Sequence, residues 1–189
     1  QIMQLSFNLK QGDDAVKYAQ LLKKADPSQK VNYIIAKVNY DNDNYGEAMK
    51  ALSAAMKEGD TNPEIPYMAG RSFAEMQNYR QAVEYFKKAV EMDTARNFWA
   101  YELGLIYYGI NDNANALKYI KLAADRGYKK DVDYMKNLGI AYLNTGNLDE
   151  GVKVLGEILV KRPGDLSVLN MIGEAYYDNG KYQKAIDYW

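Results

Sequence analysis

The sequence predicts an all-α fold, a solenoid built by stacking antiparallel helix-turn-helix units, and three observations predict it. A small residue recurs at Ala36, Gly70, Gly104, Gly139 and Gly173, at intervals of 34, 34, 35 and 34 residues. A second small residue keeps the same interval twelve positions later, at Ala48, Ala82, Ala116, Gly151 and Ala185. Within each interval the apolar residues fall into two helical stripes separated by a turn. A fixed period of this size marks a stack of supersecondary units, each of which buries its apolar face against its neighbours.

The elements follow in order. Residues 1–27 read as a shortened unit with a turn at Lys10–Asp14, then a helix carrying Ala15, Tyr18 and Leu22 that ends at Pro27. Units of ordinary length span 29–62, 63–96, 97–131 and 132–165, and an incomplete one spans 166–189. In the fourth, Met135, Leu138, Gly139 and Tyr142 share one helix face. Asn144-Thr145-Gly146-Asn147 turns the chain, and Leu148, Val152, Leu155 and Ile158 form the second stripe. Pro163-Gly164-Asp165 then closes the unit, because proline cannot continue a helix. In the last, Leu169, Ile172, Gly173 and Tyr176 are followed by the breaker Asp178-Asn179-Gly180, then by Tyr182, Ala185, Ile186 and Trp189. Glycine inside a helix costs up to ~1 kcal/mol relative to alanine. Its return at one place in four of five units therefore implies close helix packing. The chain begins at Gln1 and stops at Trp189 within an apolar stripe, so it reads as a piece of a longer protein.

Composition narrows the function. The 189 residues carry a net charge of −1 with acids and bases interspersed, which argues against a nucleic-acid groove. No apolar run approaches bilayer length, so membrane insertion is not expected. The chain has no cysteine and no histidine. It therefore lacks thiolate nucleophiles, the commonest general base and the commonest transition-metal ligand. No cofactor and no catalysis are expected, and nothing in the sequence fixes a compartment. The outlier is tyrosine, with 18 residues.

The pattern Leu-Gly-x-x-Tyr-Tyr, a turn, then Tyr/Leu-x-x-Ala-x-x-x-Phe/Ile/Leu-x-x-Ala resembles the tetratricopeptide repeat (TPR) family. It stands here as Leu103-Gly104-Leu105-Ile106-Tyr107-Tyr108 with Ala116, Ile120 and Ala123, and as Ala69-Gly70 with Phe73, Tyr79, Ala82, Phe86 and Ala89. The resemblance covers about residues 30–189 and implies some five and a half units wound into a right-handed superhelix. Residues 123–128 look like the inter-repeat segment of the related Sel1-like family, at the one 35-residue interval. Two departures stand out. Asn39 occupies a position expected to be buried and so needs a hydrogen-bond partner. Pro66 replaces a large apolar residue near a helix start, where proline is tolerated.

Asp41-Asn42-Asp43-Asn44-Tyr45-Gly46 begins like a calcium loop, but Tyr45 and Leu52 stand where oxygen ligands belong. The period assigns the segment to an inter-helix turn, so no metal site is expected. Acidic pairs such as Asp149-Glu150 fall at helix starts, where negative charge complements the helix dipole.

The resemblance implies that first helices line a concave face. Relative to the motif glycine, that face takes the positions three and two before, and one and four after. On these positions stand Tyr33, Lys37 and Tyr40 in the first full unit, and Tyr67, Met68 and Arg71 in the second. Tyr101, Glu102 and Tyr108 follow, then Asn137 and Tyr177, with Phe98 at the edge. This tyrosine ladder is the expected contact surface for a protein partner, a peptide or a helix, because tyrosine and arginine concentrate interface energy. Lys37 and Arg71 favour an acidic or phosphorylated element there, a preference that Glu64, Glu75 and Glu102 nearby weaken. Co-chaperone TPR proteins instead grip a C-terminal carboxylate with paired Lys, Asn and Arg. The corresponding pairs here, Tyr33/Lys37, Tyr67/Arg71 and Tyr101/Leu105, do not reproduce that clamp. The alternative expectations are a homo-oligomer formed through the incomplete last unit, or a recognition arm of a larger multidomain protein.

Overall fold

The computed structural model describes residues 2–9 and 11–189. Among the described residues the chain forms twelve α-helices and no strand. It divides into two compact units, Gln1–Thr94 and Ala95–Trp189. The first holds α1 (Ile2–Asn8), α2 (Gly12–Ala25), α3 (Asn32–Asp41), α4 (Tyr45–Lys57), α5 (Glu64–Glu75) and α6 (Tyr79–Met92). The second holds α7 (Asn97–Gly109), α8 (Asn113–Asp125), α9 (Val132–Asn144), α10 (Leu148–Lys161), α11 (Leu166–Asp178) and α12 (Tyr182–Tyr188). Odd and even helices pair as hairpins, and within each unit every hairpin packs on the next. This is the all-α solenoid arrangement. The start of the chain differs from expectation. Of the turn expected at Lys10–Asp14, Lys10 lies outside the described residues, and Asp13 and Asp14 already belong to the first turn of α2. Two acids complement the helix dipole there and favour an earlier start.

The repeating small residues mark where the helices of a hairpin cross. A Cβ added at Gly104 would stand 2.7 Å from Ile120 Cγ1 and 3.0 Å from the Ile120 backbone nitrogen. At Gly70 it would meet the Phe86 ring at 2.7 Å, and at Gly139 the Leu155 side chain at 2.6 Å. In every case the first-helix glycine faces the large residue sixteen positions on. The second small residue completes the crossing, since a Cβ at Gly151 would lie 3.1 Å from the Gly139 carbonyl oxygen. Around these seams lie the cores. Leu52, Ala55, Ile65 and Ala69 fill one in the first unit. Leu155, Ile158, Val168 and Ile172 fill one in the second.

The turns keep the same interval. Asp43, Gln77, Asn111, Gly146 and Gly180 all take positive φ, from 58° to 79°. Glycine does so freely, whereas a glutamine at Gln77 is strained. Asp43 sits in the segment that began like a calcium loop. The segment is the α3–α4 turn, and the Tyr45 hydroxyl donates to Asp43 Oδ1 at 2.8 Å. The longer interval of 35 residues is taken up in the α8–α9 connection, residues 126–131, where Gly127 adopts φ 86°. Its last residue, Asp131, caps α9 by accepting from the Tyr134 amide at 3.0 Å. Asn39 finds the partner its position demands: its side-chain amide donates to the Ile35 carbonyl at 2.8 Å. Pro66 stands in the first turn of α5, where its missing N–H costs no intrahelical bond.

Candidate functional site

In the first unit the expected contact residues lie on α3 and α5. Tyr33 is half-buried, and its hydroxyl donates to Glu64 Oε2 at 2.5 Å. Burial, and then the Glu64 carboxylate, push that hydroxyl up to about 12. Lys37 pairs with Asp41 at 2.7 Å and lies 5.7 Å over the Tyr40 ring, which packs edge-on to Tyr45. Tyr67 meets Phe86 edge-on at 5.7 Å. Arg71 approaches Glu75 at 3.4 Å. Both cations thus have a carboxylate one helical turn on, which offsets the positive charge that had suggested an acidic partner. Met68 belongs to the core, with 2% of its surface exposed. Its side chain packs among Ala36, Leu52 and Ile65 and is not presented to a partner.

In the second unit Phe98 is half-buried and edge-on to Trp99, 6.0 Å away. Tyr101 is only 9% exposed. Its ring stacks on Tyr128 at 4.6 Å, and its hydroxyl accepts from the Asn137 side-chain amide at 2.6 Å. Burial raises its pKa above the ordinary tyrosine value. Tyr101 and Asn137 are therefore occupied with each other, and Glu102 is half-buried on the same helix. Tyr108 and Tyr177 are the exposed pair, at 45% and 54%. Tyr177 leans on Tyr182 and Trp189. Tyr108 lines an open groove of about 330 Å³ on the first-helix face, with Ile140 and Leu143 from α9 and Met171, Glu174, Ala175 and Asp178 from α11.

The groove is placed by the repeat register. Tyr108 and Leu143 stand four residues after their motif glycines, Ile140 and Glu174 one after, and Met171 two before. All five stand at positions the sequence assigns to the expected contact face, yet tyrosine abundance drew attention to only one of them. Asp178 lies outside that register, one turn beyond Glu174, and the sequence marked it only as part of the Asp178-Asn179-Gly180 breaker. No group of acidic residues that could hold a metal ion occurs among the described residues. No helix among them is long and apolar enough to cross a membrane.

The profile of the tetratricopeptide repeat family matches residues 67–131 and 136–189. The chain belongs to the tetratricopeptide repeat family. Each unit is accordingly built of TPR hairpins. Residues 8–89 also match the family described as anaphase-promoting complex, cyclosome, subunit 3. No curated protein matches the chain in sequence. Among solved structures, the chain is similar to YrrB, described as a TPR protein with an unusual peptide-binding site. The TM-score is 0.77 at 18% identity, over 92% of this chain and 90% of that one. It is also similar to MamA, with TM-score 0.68 at 23% identity, over 82% of this chain and 90% of that one. A tetratricopeptide repeat protein from Parabacteroides merdae ATCC 43184 gives TM-score 0.70 at 14% identity, over 98% of this chain and 74% of that one. At these identities the likeness is one of fold. TPR proteins are generally not enzymes, and the groove offers a surface for contact: four apolar side chains, one tyrosine, two asparagines and two carboxylates.

Proposed function

We propose that this TPR chain is a protein-interaction scaffold that holds a peptide or helix of a partner on its first-helix faces. The observation carrying this reading is the groove between Tyr108, Ile140, Leu143, Met171 and Glu174. Its lining mixes the aliphatic side chains of Ile140, Leu143 and Met171 with the polar groups of Tyr108, Asn144, Glu174, Asp178 and Asn179, so one recess offers apolar and polar contacts together. In the same reading the repeats run over 29–62, 63–96, 97–131, 132–165 and 166–189, Tyr33, Tyr40 and Tyr67 extend the contact surface in the first unit, and no catalysis belongs to this chain.

The test is site-directed crosslinking. A random peptide library is selected on the whole chain, and a photoreactive amino acid is then placed at Ile140 or at Lys153, an exposed residue of α10. Selected peptides are expected to crosslink at Ile140 and not at Lys153. Crosslinking confined to Lys153 would move the site to the second-helix face.

A second reading, self-association, is favoured by the apolar side chains left exposed on α12 and just after it, Tyr182, Ile186 and Trp189. Light scattering across a hundredfold range of concentration separates the two. A constant monomer mass removes the second reading.

A further inference from the structure

Glu174 and Asp178 stand one helical turn apart on α11, and both line the groove. Both are exposed, and among the described residues neither side chain makes an ion pair or a hydrogen bond. No lysine or arginine lines the groove. Three lysines of the second unit are engaged elsewhere. Lys136 bonds Asp165 at 3.2 Å, and Lys181 and Lys184 lie over the Tyr176 ring at 6.0 and 5.3 Å. Like charges four apart on a helix repel by a few tenths of a kcal/mol, and among the described residues no salt bridge reaches either carboxylate.

The same groove is lined by Ile140 and Leu143 from α9, Met171 from α11 and the exposed Tyr108 ring from α7. A long cationic side chain matches this layout. Its methylene stem covers apolar surface while its charged head stays at the rim. A guanidinium can bridge two carboxylates, and a tyrosine face attracts a cation. We infer that the groove takes an arginine or lysine side chain, next to an aliphatic residue, from a basic segment of the partner protein. The inference rests on the proposed function above and fixes the charge of the ligand, opposite to the acidic element that Lys37 and Arg71 suggested.

Three blocked dipeptides test it on the isotopically labelled chain by amide chemical shifts: acetyl-Leu-Arg-amide, acetyl-Leu-citrulline-amide and acetyl-Leu-Glu-amide. The arginine peptide is expected to shift Ile140, Glu174 and Asp178, and to bind about tenfold tighter than its uncharged citrulline counterpart, or ~1.4 kcal/mol. Salt should weaken it, since the carboxylates are exposed. In the E174Q/D178N double variant, whose changes lie on the surface, the arginine advantage should vanish while citrulline binding stays. If citrulline or Glu peptides shift the same amides as strongly, the basic preference is overturned and the groove stands. If none of the three perturbs these amides, both the inference and the reading beneath it fall.

Discussion

The Asn137 side-chain amide donates to the Tyr101 hydroxyl at 2.6 Å, tying α9 to α7, while the Tyr101 ring stacks on Tyr128 at 4.6 Å. A tyrosine expected to face a partner is thus part of the packing of its own unit. Tyr101→Phe removes the acceptor from a half-buried amide and should cost about 1 kcal/mol. Tyr101→Ala also empties the ring site and should cost about 3–5 kcal/mol. Urea unfolding of the two variants checks both values. Equal and negligible costs would return Tyr101 to the contact surface.

Two glycines should respond oppositely to alanine. At Gly104 the added methyl meets the Ile120 backbone and side chain, so the overpacking cost of about 1–3 kcal/mol outweighs the gain in helix propensity. Gly104→Leu should be worse. At Gly156, inside α10, nothing lies within 4 Å of the added atom. Gly156→Ala should therefore stabilise by up to ~1 kcal/mol. Thermal melts that move in the same direction for both alanine variants would contradict the seam.

Gln77 holds φ 59° in the α5–α6 turn, where Gly146 and Gly180 stand in the second unit. Left-handed backbone costs a side chain roughly 1 kcal/mol, partly offset because glycine gains freedom in the unfolded chain. Gln77→Gly should raise the melting temperature by a degree or more, about 0.5 kcal/mol. Gln77→Val, β-branched at the same φ, should lower it.

Alkaline pH should weaken the fold through its buried phenols. Tyr134, almost fully buried, has its hydroxyl pushed up to about 12 by desolvation, and Tyr33 reaches about 12 through burial and Glu64. Unfolded tyrosine ionises near ~10. The native state therefore holds these protons more tightly. The stability they contribute is complete below pH ~10 and drains away as pH rises toward 12. Urea midpoints should fall across that window, and Tyr134→Phe should flatten the fall. An unchanged slope in that variant would assign the alkaline loss to other groups.

The seams were legible because they repeat: Gly104 and Ala116 mark one crossing, and the period extends it to the rest. The turns were legible where glycine announces them, as at Gly146, but not at Gln77, whose strain only the interval betrays. The first-helix positions expected to meet a partner were legible in register and not in exposure. Tyr101 lost its exposure to Tyr128, which comes from the α8–α9 connection, the one stretch that departs from the period. Met68 sank into the core beside Leu52 and Ile65, a matter of how α5 rolls against its neighbours. Periodicity assigns faces to helices, but the rotation of each helix is settled by packing.

The glycine crossings join residues only sixteen positions apart. Contacts this short in sequence carry little loop-closure entropy, and helical chains dominated by them fold in microseconds to milliseconds. Synthesis on the ribosome, at about 5–20 residues per second, is far slower. Each hairpin can therefore close soon after its second helix emerges, and then offers the next nascent helix an apolar surface to dock on.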